Sequence, residues 1–340
     1  MLKQFTNRGA RRKLALVGAT SALLATAASP ASAATTGTIY ANGLNAPGGT
    51  VAMGSHLWVA DHVNGFCRLD KNAATGKFTI NLATCNTAAA SPGQPTFDAA
   101  SNMAYVPDNS TKGTAVYRLK FNPATETVST SAALGSSAIA AGTKPTATVL
   151  GPDGSLYVGS IKSGKIVRIA NPATTGSPVQ TVGSTSDGRG ANGLAFANAS
   201  DGSLGNSLYI AEGSGISEIA NATTCTGACI ATMTAIAPQT IVNGKPILWE
   251  TLDVLAATPD VLYVAKWAPH DFGPKVTIVK YTVSTGTAVD QSTSYVAPDG
   301  KLQPWTTVSD LALNPAGGLF VSHDPTNGGT NGALVSQLAG

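Results

Sequence analysis

The segment Leu57-Trp58-Val59-Ala60-Asp61 returns in altered form along the whole chain. Leu156-Tyr157-Val158, Leu208-Tyr209-Ile210-Ala211-Glu212, Leu262-Tyr263-Val264-Ala265-Lys266 and Leu319-Phe320-Val321 are clear copies, and Ala104-Tyr105-Val106 is a weaker one. Their aromatic residues stand at 58, 105, 157, 209, 263 and 320, so the steps are 47, 52, 52, 54 and 57 residues. Each copy is short, apolar and rich in aromatic and branched side chains, the composition of a buried strand. Strand units repeated at a near-constant period of about fifty residues are the pattern of a β-propeller, in which each unit buries its faces against its neighbours. The copies predict an all-β, six-bladed ring.

The third repeat shows the unit most cleanly. Thr146 to Leu150 reads as a first strand and Gly151-Pro152-Asp153-Gly154 as a turn. Leu156-Tyr157-Val158-Gly159 reads as a second strand, Ile166-Val167-Arg168-Ile169 as a third with alternating faces, and Val179 to Val182 as a fourth. Repeat six ends after its third strand, Ala333 to Leu338, and an unassigned strand-like stretch, Thr38-Ile39-Tyr40, precedes repeat one. Joining these two in one sheet closes the ring and removes an exposed edge.

The first 33 residues read as a secretory signal peptide. Lys3, Arg8, Arg11, Arg12 and Lys13 form a basic start, Leu14 to Ala27 an uncharged apolar run, and Ala31-Ser32-Ala33 a small-residue cleavage site. Arg11-Arg12-Lys13-Leu14 leaves a twin-arginine route open beside the general one. Residues 34–340 are then one propeller domain, exported to a periplasmic or extracellular location and expected to be monomeric. Without the signal, 16 basic residues face 18 acidic ones. No Lys/Arg cluster remains, which excludes the electrostatic footprint of a nucleic-acid binder, and no further apolar run is long enough to span a membrane. Export favours disulfides among Cys67, Cys85, Cys225 and Cys229. Short separations favour the pairs Cys67–Cys85 and Cys225–Cys229, with a redox or metal pair as the alternative for the second.

Asn192-Gly193-Leu194-Ala195-Phe196 followed by Leu208-Tyr209-Ile210-Ala211-Glu212, together with Gly151-Pro152-Asp153-Gly154-Ser155-Leu156-Tyr157-Val158, resembles the SMP-30/gluconolactonase and NHL-repeat superfamily. The resemblance covers nearly all of the chain after the signal. It implies a six-bladed propeller, and in the lactonase branch an axial metal held by an early Glu, a mid-chain Asn and a later Asp. Asn192 matches the Asn. Glu250, in Trp249-Glu250-Thr251, stands where the Asp is expected, and Ala46-Pro47-Gly48-Gly49 carries no acid where the Glu is expected.

Two clusters are candidate sites. His62, His270 and His323 each follow the second strand of a repeat, in repeats one, five and six, which are consecutive in a closed six-fold ring. Three imidazoles on one face would suit Zn²⁺ or Cu²⁺, with Asp61, Asp271 and Asp324 orienting them. His56, in the turn before the second strand, belongs to the opposite face. The second cluster is Asn192, Glu250 and Asp310 at the starts of first strands, whose oxygens suit Ca²⁺ or Mg²⁺. The leading functional reading is an exported propeller that binds a ligand, and with it a divalent metal (Zn, Cu or Ca), on one face. An alternative is a metal-dependent, lactonase-like hydrolase or lyase with Asp61, Glu250 or Asp324 as base. A metal-free protein-interaction platform is a third. The ligand is a small molecule or a protein, of a kind the residues do not name.

Overall fold

The computed structural model describes residues 35–110, 115–134, 144–174, 176–186, 190–197, 205–212, 215–227, 229–234, 241–242, 245–246, 250–258, 260–267, 276–325 and 333–339. The signal segment and His270 therefore lie outside the described residues. Within them the chain is a succession of four-stranded antiparallel meanders, labelled A to F in chain order. Meander A is Pro47–Met53, His56–Asp61, Gly65–Lys71 and Phe78–Ile80. B is Thr96–Asp98, Met103–Pro107, Val116–Asn122 and Thr127–Leu134. C is Pro145–Leu150, Leu156–Ser160, Lys165–Ile169 and Val179–Ser184. D is Ala191–Ala197, Ser207–Glu212, Gly215–Ile219 and Thr232–Thr234. E is Glu250–Thr258, Val261–Trp267, Val276–Thr282 and Thr287–Ser292. F is Val308–Leu313, Leu319–His323 and Ala333–Leu338, completed by Gly37–Leu44 from the other end of the chain, which pairs antiparallel with Ala333–Leu338.

The first strand of each meander lies against the first strand of the next, and that of F lies against that of A, so the succession closes on itself. The all-β arrangement fits a propeller. The repeated aromatics form the interfaces. Trp58 packs with Ala104, Leu119 and Phe121 of B. Tyr105 packs with Leu156 and Val158 of C, Tyr157 with Leu194 and Ile210 of D, and Tyr209 with Val254 and Val264 of E. Leu311 and Val321 of F meet Ala265 and Ile278 of E, and Phe320 meets Val59 and Leu69 of A. Burying one such large side chain contributes about 1.5–3 kcal/mol, so the aromatic in each repeat fastens its own sheet to the following one.

One irregularity recurs. Opposite the second strand, the first strand of A, C, D, E and F skips one residue, at Gly48, Thr146, Asn192, Leu252 and Ser309. Such a β-bulge turns the extra residue out of the ladder and re-aims its neighbours. The aromatics Trp58, Tyr105, Tyr157, Tyr209, Tyr263 and Phe320 stand opposite Val51, Thr96, Val149, Ala195, Leu255 and Ala312. Two residues upstream, at one common place, are Gly49, Gln94, Ala147, Gly193, Asp253 and Asp310.

Cys67 is joined to Cys85 and Cys225 to Cys229. Cys85 follows the 3-10 turn Leu82–Thr84, whereas the spacing suggests a neighbouring strand. The sequences Asn81-Leu82-Ala83-Thr84-Cys85 and Asn221-Ala222-Thr223-Thr224-Cys225 build the same turn, in which the Thr amide and hydroxyl both donate to the Asn carbonyl. The bonds close separations of 18 and 4 residues. Loop-closure entropy then predicts that replacing Cys67 and Cys85 by Ser lowers stability by about 3 kcal/mol, and replacing Cys225 and Cys229 by about 2 kcal/mol. Urea unfolding of the two variants checks this, and the reverse order would contradict it.

Candidate functional site

The ends of the second strands hold a buried polar residue in equivalent register. Asp61 stands opposite Pro47, Asp108 opposite Pro92, Ser160 opposite Pro145, Glu212 opposite Ala191 and His323 opposite Val308. These side chains organise the adjoining turns. Asp61 Oδ2 accepts from the Asn45 amide at 2.6 Å, and Oδ1 accepts from the Val63 and Asn64 amides at 3.0 and 2.9 Å. Asp108 accepts from the amides of Ser91 and Ser110, and Glu212 from Ser186 and Ser217. Both oxygens of Asp61 thus accept hydrogen bonds from the adjoining turns.

His323 shares this structural place with Asp61, not with His62. It is completely buried, its Nε2 lies 2.9 Å from Ser336 Oγ, and its ring stands edge-on to Tyr295 and Trp305. Burial pulls its pKa down to about 3, so it is a neutral core histidine. Side chains one residue apart on a strand point to opposite faces. That single-residue offset separates it from His62.

The residues one step further on do gather at one end. His62 donates its amide to the Asn45 carbonyl, Asn109 to Ser91 and Asp324 to Thr307, the same geometry in A, B and F. His62, Asn109 and Asp324 line one cavity of about 340 Å³, together with Gly48, Thr146 and Ser309, which sit at the bulge place. His62 Nε2 is buried and has no hydrogen-bond partner. Burial lowers the pKa of this imidazole, while the nearby Asp61 charge and Pro92 carbonyl oppose the shift. The Pro92 carbonyl lies beside the ring and acts on it as a hydrogen-bond acceptor, although no bond of regular geometry to Nε2 forms.

A second cavity, of about 460 Å³, is lined by first strands from every meander. Its walls are mostly apolar, and its polar part is Thr50, Gln94, Thr96, Thr148, Asp253 and Asp310. Asp253 Oδ2 accepts from the Leu311 amide of the next meander at 2.6 Å, and Asp310 Oδ2 accepts from the Thr50 amide and hydroxyl at 2.8 and 3.1 Å. Each carboxyl thus stitches its meander to the next. Burial raises the pKa of both, that of Asp310 to about 7, and the Asp310 charge raises Asp253 further. Two interacting buried carboxyls of this kind retain one proton between them near neutral pH.

Of the oxygen cluster expected from sequence, Asp310 lines this cavity. Asn192 occupies the bulge place, half-buried and one residue from the position equivalent to Asp310, and Glu250 opens the first strand of E. Asp253 and Gln94 are the members that were missed. The repeated frame Leu252-Asp253-Val254 and Ser309-Asp310-Leu311 carries the signal for Asp253. Among the described residues no group of three or more His, Cys, Asp or Glu side chains is placed to hold a metal ion. The axial acids already accept backbone amides and fit a shared proton, so no step below passes through a metal.

No protein-family model matches this chain. No curated protein matches it either. Solved structures do match in fold. A gluconolactonase from Xanthomonas campestris is 14% identical, with 88% of this chain and 88% of that chain covered and a TM-score of 0.55. Regucalcin from Agrobacterium tumefaciens, a calcium-binding protein, is 13% identical over 90% and 97% of the two chains, with a TM-score of 0.55. Virginiamycin B lyase from Staphylococcus aureus with quinupristin is 11% identical over 89% and 98%, with a TM-score of 0.52. Similarity at this level establishes a shared propeller fold.

The axial carboxyls make stability depend on pH with a defined sign. Their folded pKa values lie above those of the unfolded chain, so the folded state holds a proton that the unfolded state releases. This contribution is complete below the ordinary Asp range, near about pH 4, and is lost as pH rises through about 7. His62 and His323, with lowered values, act in the opposite sense on the acid side. Asp310→Asn, an imitation of the protonated acid, is therefore expected to gain stability relative to the parent as pH is raised from about 5 to about 8. Urea midpoints of both proteins across that range check it, and a constant difference would contradict it.

Proposed function

We propose that this chain is an exported six-bladed propeller, one meander per blade over residues 34–340, that binds a small neutral polar molecule in the cavity beside His62. The observation that carries this reading is the buried His62 Nε2, which has no hydrogen bond of regular geometry and belongs to a residue lining the cavity with Asn109, Ser309 and Asp324. An unsatisfied buried group of this kind costs about 1–3 kcal/mol, which a ligand hydroxyl or carbonyl would relieve. Burial keeps the ring neutral near pH 7, so Nε2 offers one hydrogen bond of either polarity according to tautomer. The described lining supplies Thr146, Thr307, Ser309 and Asn109 as further hydrogen-bonding groups, with Asp324 as its acid and no Lys or Arg. That set disfavours anions and suits a hydroxylated ring. Its volume, about 340 Å³, lies at the small end of ligand pockets.

A second reading is catalytic. A neutral imidazole held beside a cavity is suited to take a proton, so His62 is a candidate general base for opening a lactone or eliminating a leaving group. The gluconolactonase neighbour makes a sugar lactone the first compound to try. In this reading Asp324 orients substrate, and Asp61 is retained only for the fold.

Calorimetry with glucono-δ-lactone and a panel of neutral sugars, on the secreted protein beginning at Ala34, tests both readings. We expect His62→Ala to weaken binding at least about tenfold, the loss of one well-formed hydrogen bond in a dry site. Binding within twofold of the parent would reject the site. Lactone opening by the parent, absent in His62→Ala and unaffected by chelator, would favour the catalytic reading.

A further inference from the structure

We infer that Gln94 is the specificity-determining residue of the His62 cavity: its side chain is a crossbar that sets how deep a ligand reaches. The inference rests on the ligand site proposed above and adds the length of molecule it admits. Gln94 occupies the common inner place held elsewhere by Gly49, Ala147, Gly193, Asp253 and Asp310. Its side chain starts from meander B, passes A, and reaches F, where Nε2 donates to the Ser309 carbonyl at 3.0 Å. The same amide group hydrogen-bonds to Asp253 of E. Gln94 therefore spans the middle of the meander succession, and it lines both the 340 Å³ and the 460 Å³ cavity.

The backbone beneath this crossbar is fixed. The Gln94 amide donates to the Thr146 carbonyl at 2.8 Å, and its own carbonyl accepts from the Thr148 amide and hydroxyl at 3.2 and 3.0 Å. Gly49 lets meander A close on it: a Cβ there would stand 2.8 Å from Gln94 Cα. A side chain anchored at its root and hydrogen-bonded at its tip is a fixed partition.

The two sides of the partition carry different polar groups on mostly apolar walls. The smaller cavity presents His62, Asn109, Ser309 and Asp324, and the larger presents Asp253 and Asp310 beside Val149, Leu194, Leu255 and Leu311. With Gln94 in place the site takes a compact molecule. With the side chain shortened, the smaller cavity opens onto the larger one and takes a longer molecule, its polar head at His62 and an unbranched alkyl tail along Val149, Leu194, Leu255 and Leu311.

The test uses γ-butyrolactone and γ-alkyl lactones of increasing chain length, titrated calorimetrically into the parent, Gln94→Ala and Gln94→Met. For the parent, affinity should stay level or fall as the chain lengthens. For Gln94→Ala it should rise, by up to about three- to fourfold per added methylene. Gln94→Met refills the same volume without the amide and should keep the parent ranking. An unchanged ranking in Gln94→Ala, or a shifted one in Gln94→Met, would overturn the crossbar. Should Gln94→Ala fail to fold, Gln94→Ser serves as the shortened variant. A crystal structure of the parent judges the partition independently: Gln94 Nε2 on the Ser309 carbonyl supports it, and a side chain turned away from Ser309 removes it. Failure of the parent to bind any sugar or lactone, with the partition intact in that crystal structure, would instead sink the ligand reading and with it the specificity role built on it.

Discussion

A single extra residue at the same point of successive first strands governs where polar groups stand in this protein. The bulge at Gly48, Thr146, Asn192, Leu252 and Ser309 breaks the two-residue alternation of the strand. Residues before it pair with the turn-organising ends of the second strands. Residues within it, such as Ser309, face the end cavity, and residues after it, such as Asp253 and Asp310, face the inner one. Without the bulge, a strict alternation would carry the polar and apolar sets to the wrong faces.

The same constraint divides labour between polarity and packing. The repeated aromatics fill the interfaces between sheets, and the buried polar residues tie the turns and the inner strands. The carboxyls of Asp61, Asp108 and Glu212 each accept hydrogen bonds from neighbouring segments and so stabilise the scaffold. Among the buried polar atoms of the described residues that lack a regular hydrogen bond, the Nε2 of His62 belongs to a residue lining the end cavity, where Asn109 and Asp324 stand beside it. The proposed site thus sits at one end of the frame, as expected where loops carry chemistry on a fixed scaffold.

The architecture was legible because its signal is repeated. Six aromatics at steps near fifty residues give the sheet order, the strand boundaries of meander C to within two residues, and the joining of the N-terminal strand to Ala333–Leu338. Site assignment was harder because it turns on single-residue offsets. His323 lies two residues after Val321 and His62 three after Val59, and that difference puts one imidazole in the core and the other at a cavity. Asn192 and Asp310 likewise differ by one place across the bulge, which strand periodicity alone does not reveal. Gln94 was hidden for another reason. Its inner place lies two residues before the short strand Thr96–Asp98, and its role depends on reaching two distant meanders. The paired turns ending in Cys85 and Cys225 were readable from their shared Asn and Thr, but only once the turn geometry was known.

The central claim is that a buried neutral imidazole, without a regular hydrogen bond at Nε2, stands at the edge of a ligand cavity. Its most direct test is an NMR titration of the His62 ring nitrogens in the protein beginning at Ala34, with and without glucono-δ-lactone or a neutral sugar. The account predicts a midpoint below the usual histidine range of about 6.5 and a change in the Nε2 resonance when ligand is added. An ordinary midpoint, with ring signals indifferent to every compound in the panel, would contradict it.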